Sequence, residues 1–159
     1  MNDTAKKKLL RTIPHALYLL TSRAGSRTAA STVSWVTQAS FQPPLIAVGL
    51  KKDSHTFAVV QEAKSFALNF LGGDQKEIAQ KFFKHVEPEG NRLGGEEFKE
   101  SLLLKHPVFP ALAGFIECEV LQVVDKGDHA VVVAEVIGAE PGSAEGPLLL
   151  SSTGWHYGG

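Results

Sequence analysis

The chain has 159 residues, 43% hydrophobic and 21% charged, enough to build a core without disulfide or metal staples. Sixteen Lys and Arg against seventeen Asp and Glu leave a formal charge of −1, without the basic excess of a phosphate-neutralising nucleic-acid binder. A single cysteine, Cys118, excludes an intramolecular disulfide framework and any multi-cysteine zinc or iron–sulfur centre.

Length and composition predict one domain over residues 1–159 in a reducing, cytoplasmic setting, with residues 1–8 as a frayed end or a solvated first helical turn. Lys6, Lys7 and Lys8 precede an apolar stretch, Leu9 to Leu20, but Arg11, Pro14 and His15 interrupt it where a signal peptide would stay apolar. No run reaches the roughly 18 apolar residues of a membrane helix.

His15 to Arg23 is apolar and ends in the turn-like Ala24-Gly25-Ser26. Ala30 to Phe41 mixes β-branched and small polar residues until Gln42-Pro43-Pro44 stops it, and Leu45 to Leu50 is a short apolar run of buried-strand type. Asp53 and Ser54 are good N-caps for a helix carrying Phe57, Ala58 and Val60. Ser65 to Leu71 alternates as a strand, with Phe66, Leu68 and Phe70 on one face and Asn69 on the other. Asp74 and Glu77 have capping-box spacing before Ile78, Ala79, Phe82 and Phe83. His85 to Glu100, rich in Glu and Gly, reads as a surface excursion. Phe115 to Val124 and His129 to Ile137 then form the clearest hairpin, turning at Asp125-Lys126-Gly127-Asp128. Many strands, two short helices mid-chain and no βαβ alternation predict a mainly β fold with α insertions: an antiparallel barrel or sandwich with helices at its edge.

The routine catalytic signatures are absent. Six histidines (His15, His55, His85, His106, His129, His156) show no HxH, HxxxH or HExxH spacing, so no metal site is expected. No G-x-S-x-G elbow, G-x-G-x-x-G turn or P-loop occurs. Three segments remain. Thr32 to Ser40 packs hydroxyls and an amide into a strand, either as a wet edge strand or as a wall that hydrogen-bonds a flat polar heterocycle. Lys51 to Thr56 sets two cations and hydroxyls where a strand meets a helix N-terminus, either a plain cap or an anion site. Gly127-Asp128-His129 is either a bare turn or a turn that delivers a titratable imidazole to a pocket.

In order and spacing, SWVTQASFQPPLIAVGL (Ser34 to Leu50), KDSHT (Lys52 to Thr56), SFALNFL (Ser65 to Leu71) and GDHAVVVAEV (Gly127 to Val136) resemble the flavin reductase-like family. That family includes the reductase components of two-component flavin monooxygenases and a domain of some flavodiiron proteins. The resemblance, from about Leu9 to Tyr157, implies an FMN-binding split β-barrel, antiparallel and of Greek-key type, that works as a homodimer with flavin at the dimer interface. It implies FMN, with FAD as the variant, NADH or NADPH as hydride donor, and a monooxygenase or other electron acceptor as partner. Under it, Trp35, Val36, Thr37, Gln38, Ala39 and Ser40 line the isoalloxazine; Lys52, Ser54, His55 and Thr56 hold the phosphate; Asn69 and the region of Phe82 approach the ribityl–phosphate side. His129 takes the catalytic position beside the nicotinamide. An electron carrier with little NAD(P)H reactivity is the alternative. Trp155 and Tyr157 are either core residues of a terminal strand, the favoured reading, or a cover for the partner subunit's flavin. Cys118, among apolar neighbours, is expected to be inert.

Overall fold

A computed structural model describes residues 1–159. Seven strands form one antiparallel sheet: β1 (Tyr18–Ala24), β2 (Arg27–Val33), β3 (Val36–Phe41), β4 (Pro44–Lys51), β5 (Ser65–Phe70), β6 (Gly114–Val124) and β7 (His129–Pro141), in the order β2-β1-β5-β6-β7-β4-β3. The sheet rolls on itself. Leu20 of β1, Val33 of β2, Ile46, Val48 and Leu50 of β4, Phe66 and Leu68 of β5, Cys118 of β6 and Ala130, Val132 and Ala134 of β7 meet in one buried cluster. Val36 of β3 packs against it. Burying each large side chain there contributes about 1.5–3 kcal/mol.

The helices are α1 (Asp3–Leu10), α2 (His55–Ala63), α3 (Lys76–Lys81) and α4 (Leu150–Thr153). Helix α2 begins where Ser54, with extended backbone, accepts the Phe57 N–H on its hydroxyl, and it ends at Lys64 in a left-handed conformation. Its Phe57 and Val60 enter the barrel cluster. The second apolar cluster lies on the other face of β1, where Leu17 and Leu19 meet Leu71, Ala79, Phe82, Leu93, Phe109, Leu112 and Leu148. Strand alternation explains the division, since Leu19 and Leu20 must point to opposite faces. No helix is long and apolar enough to cross a membrane.

The predicted hairpin forms, with Val124 opposite Val131 and Cys118 opposite Val136 across two register shifts. Residues 3–10 are a regular solvated helix with Asn2 as its cap, the helical one of the two readings of this end. Three local expectations change. The segment Ala30–Phe41 is two strands, broken at Ser34 and Trp35. Asp74 caps nothing: α3 starts after Gln75, whose side-chain oxygen instead accepts the Gly72 N–H. The excursion from residue 85 to 100 folds into two-residue strands (Pro88–Glu89, Arg92–Leu93, Glu96–Glu97) whose Leu93 is fully buried in the second cluster.

Candidate functional site

A cavity of about 530 Å³ opens on the outer flank of the barrel, within the size range of small-molecule sites. Its walls come from the end of β2 (Ser31, Thr32, Val33), the break at Ser34 and Trp35, the end of β4 (Gly49, Leu50, Lys51) and the start of α2 (Ser54, Thr56). Phe82 and Phe83 after α3, Leu150 and the C-terminal Trp155, His156 and Tyr157 complete it.

One end of the cavity is built for an anion. The backbone N–H groups of His55 and Thr56, at the first turn of α2, have no acceptor within the protein. Such groups, with the helix dipole, attract negative charge. The buried Thr56 hydroxyl shares a hydrogen bond with the Ser31 hydroxyl, so β2 and α2 present their side-chain oxygens together. Lys51 also lines this cavity, paired with the exposed Asp53 at 3.2 Å. Ser54 lines it too, but its hydroxyl is engaged twice, donating to the Lys51 carbonyl and accepting from the Phe57 N–H.

The other end is aromatic. The Trp35 ring lies 4.6 Å from the His129 ring and 5.2 Å from the Tyr157 ring, centroid to centroid. A Cβ on Gly49 would come within 3.0 Å of the indole, so only glycine lets β4 approach Trp35 so closely. His129 Nδ1–H donates to Asp128 at 2.9 Å, and Nε2 meets the Tyr157 hydroxyl at 2.6 Å. These contacts hold the Asp128 carboxyl below the usual carboxylate range, chiefly through the hydrogen bond to His129. Burial pushes the Tyr157 phenol above its ordinary value. A third aromatic group stands at the rim: Phe83 meets Trp155 at 4.7 Å, and Lys76 Nζ lies 5.0 Å over that indole.

Of the residues singled out from sequence, the structure gathers Trp35, Ser54, Thr56 and Phe82 around this cavity, with His129 behind Trp35. The others stand elsewhere in the single chain. Val36 packs into the barrel, and Thr37, Gln38, Ala39 and Ser40 continue along β3, the edge strand beside Trp35. Lys52 turns away to pair with Asp125. His55 directs Nε2 at the Thr28 carbonyl, 3.1 Å away, and its ring packs on His85. Asn69 is fully buried: its amide nitrogen donates to the Leu19 carbonyl and the Thr21 hydroxyl, and its oxygen accepts the Phe109 N–H. It ties β5 to β1 and to the loop before β6, with no polar atom left for a ligand.

Sequence reasoning missed Ser31, and although it placed both Lys51 and Lys52 in the anion-site segment, the resemblance put Lys52 in the site where the structure puts Lys51, a choice for which strand alternation was the available signal. In β4, Leu50 faces the core, so Gly49 and Lys51 must face outward together. It also favoured the core for Tyr157, which is nearly half exposed at the cavity and belongs to no strand, whereas Trp155 packs partly into the second cluster.

The donor set fits a phosphorylated, flat heterocycle: two free amides, hydroxyls and a lysine at one end, and an indole wall at the other. Comparisons with known proteins agree. The family model described as flavin reductase like domain matches residues 10–158. Diflavin flavoprotein A 1 of Synechocystis sp. (strain ATCC 27184 / PCC 6803 / Kazusa) is 30% identical over 145 residues, which cover 91% of this chain and 25% of that protein. This chain thus spans about a quarter of the diflavin relative. Among solved structures, BorF, the flavin reductase component of a bacterial two-component tryptophan halogenase, has a TM-score of 0.76 at 22% identity, covering 89% of each chain. Streptomyces globisporus C-1027 NADH:FAD oxidoreductase SgcE6, in complex with NAD and FAD fragments, has a TM-score of 0.82 at 21% identity, covering 96% of this chain and 90% of that one. These likenesses carry the fold, a mainly antiparallel split barrel, and the match over residues 10–158 carries the family: the chain belongs to the flavin reductase-like domain family.

Proposed function

We propose that the chain is an NAD(P)H-dependent flavin reductase that binds FMN, with FAD as the variant, and delivers reduced flavin or electrons to a separate acceptor such as a monooxygenase. The observation that carries this reading is the cavity that joins the free amides of α2 to the Trp35 wall. The Thr56 and His55 amides, the Ser31 and Thr56 hydroxyls and Lys51 hold the phosphate. Trp35, Phe82 and the edge of β3 from Thr37 to Ser40 flank the ring system. Lys52, paired with Asp125, the His55 ring, directed at the Thr28 carbonyl, and Asn69, hydrogen-bonded within the core, are left out of the binding set. When bound, the flavin supplies the hydride-accepting ring; the protein orients it and controls access to its face. The catalytic role assigned to His129, ordering the nicotinamide approach, is part of this reading, and its ring packing on Trp35 at 4.6 Å supports it.

The flavin reading extends to a homodimer. The outer face of β7, β4 and β3 carries small and apolar side chains beside the cavity: Val131 lies next to Gly49, and Val133 next to Ala47, which pairs in turn with Thr37. Val131, Leu121 of β6 and Phe41 at the far end of β3 are exposed in the single chain. A second copy on this face would bury it and close the cavity from outside. The lone Cys118 is fully buried, with its thiol pushed up to about 12 by burial, which suits a cytoplasmic protein whose cysteine stays a thiol.

An absorbance spectrum of protein reconstituted with FMN, taken before and after anaerobic NADH or NADPH, tests the activity. A bound flavin band that bleaches is expected. A band that persists moves the protein to the carrier reading, and failure to bind FMN or FAD removes both.

A further inference from the structure

Residues 155–158 are not a free tail. A Cβ on Gly158, whose φ is +87°, would come within 2.8 Å of Trp35 Cζ2, and Gly49 presses the same indole at its Cε3 edge. Trp35 is therefore gripped at both edges by backbone that only glycine permits. The Arg11 guanidinium of α1 donates to the Gly158 carbonyl at 3.1 Å and anchors this segment from outside. Between those anchors Tyr157 does two things: its ring packs on Trp35, and its hydroxyl meets His129 Nε2. Because the Asp128 carboxylate can only accept, the neutral His129 ring carries its proton on Nδ1 and leaves Nε2 to accept from Tyr157.

We propose that Tyr157 is a positioning residue: through Trp35 and His129 it fixes the aromatic wall of the cavity, so that residues 155–158 are a built part of the ligand site. The proposal deepens the flavin reading and takes from it only the identity of the ligand. Charged and titratable groups face this corner from every neighbouring element: Asp128 from the turn before β7, Lys51 from the end of β4, Asp53 from the turn before α2, and His156 from the C-terminal segment itself. The test therefore reads the hydrogen bond at His129 Nε2 and ligand binding instead of pH dependence alone.

Tyr157→Phe removes one oxygen from a nearly half-exposed side chain, so the fold persists. Nitrogen-15 NMR of the flavin-free protein at alkaline pH should show His129 as the Nδ1–H form, held by Asp128, in both proteins, with the Nε2 resonance moving downfield in Tyr157→Phe because it loses its hydrogen-bond donor. FMN titration should then give roughly tenfold weaker binding for Tyr157→Phe and for Trp35→Phe, and no further loss in the double variant, because the two act as one unit. An unmoved His129 Nε2 resonance overturns the proposal, and so do losses that multiply in the double variant. Failure of the wild type to bind FMN or FAD would sink the flavin reading alone, since the Nε2 resonance still decides whether Tyr157 holds His129.

Discussion

The anion end of the cavity makes a claim that one methyl group can test. Thr56→Val replaces a buried hydroxyl with a methyl of nearly the same volume, so packing against Ser31 and α2 is kept. Ser54 is the poorer target, because its hydroxyl caps α2 and its loss would cost about 1 kcal/mol of stability whatever the ligand. A hydrogen bond to a charged group contributes about 1.5–3 kcal/mol, which corresponds to a loss of roughly 10- to 100-fold in FMN affinity. The assay is fluorescence titration with FMN and, in parallel, with riboflavin, which has the same ring and ribityl chain without phosphate. Thr56→Val should weaken FMN alone and bring the two dissociation constants together. Raising the salt concentration should weaken FMN binding to the wild type more than riboflavin binding, as expected for a site that includes the exposed Lys51. Equal losses for FMN and riboflavin would place Thr56 beside the ring or chain and refute the phosphate assignment. An unaltered FMN affinity would remove the Thr56 hydroxyl from the site and leave only the α2 amides to hold the phosphate.

Three further outcomes follow from the same geometry. The buried His106 ring accepts the Arg23 N–H on Nδ1 and meets the Ser65 hydroxyl with Nε2; burial, against a smaller opposing pull from Glu117, holds its pKa down to about 4 from 6.5. Between those values the unfolded chain takes a proton that the folded one refuses. Stability should therefore fall by up to about 3 kcal/mol as pH drops from 6.5 to about 4 and level off below; urea melts of wild type and His106→Gln across that window check this, and identical slopes would exclude His106 as the source. Gly94 and Gly95 both have positive φ, but a Cβ on Gly94 would meet the Phe82 ring at 2.9 Å while one on Gly95 meets nothing. Gly94→Ala should thus lower Tm by several degrees more than Gly95→Ala and also weaken flavin binding through Phe82, a link that equal effects would break. Val131→Lys with Val133→Lys should turn a dimer into a monomer in sedimentation velocity; a wild type that is already monomeric at micromolar concentration would refute the dimer face.

What was legible in the sequence was what local chemistry dictates. The β6–β7 hairpin announces itself because alternation and a Gly-Asp turn lie within one stretch, and α2 starts at Ser54 because a hydroxyl there satisfies an otherwise orphaned amide. The break at Ser34 and Trp35 carried no such sign. There is no proline or glycine at that point, and the chain bends so that Trp35 can leave the sheet and pack against Gly49, a residue fourteen positions on. Asn69 shows the limit in a sharper form: alternation puts it on the correct face, yet the loop at Phe109, forty residues later, uses its oxygen. Lys51 and Lys52 show the converse, since adjacent cations are indistinguishable until register fixes Leu50 in the core and commits Lys51 to the cavity. Tyr157 was the least legible. Its meaning depends on His129, 28 residues earlier, and on an anchor to Arg11 at the far end of the chain. A cavity is made where distant segments fail to fill the space between them, so its composition is a property of tertiary packing, and residues such as Tyr157 acquire a role only once the barrel has closed.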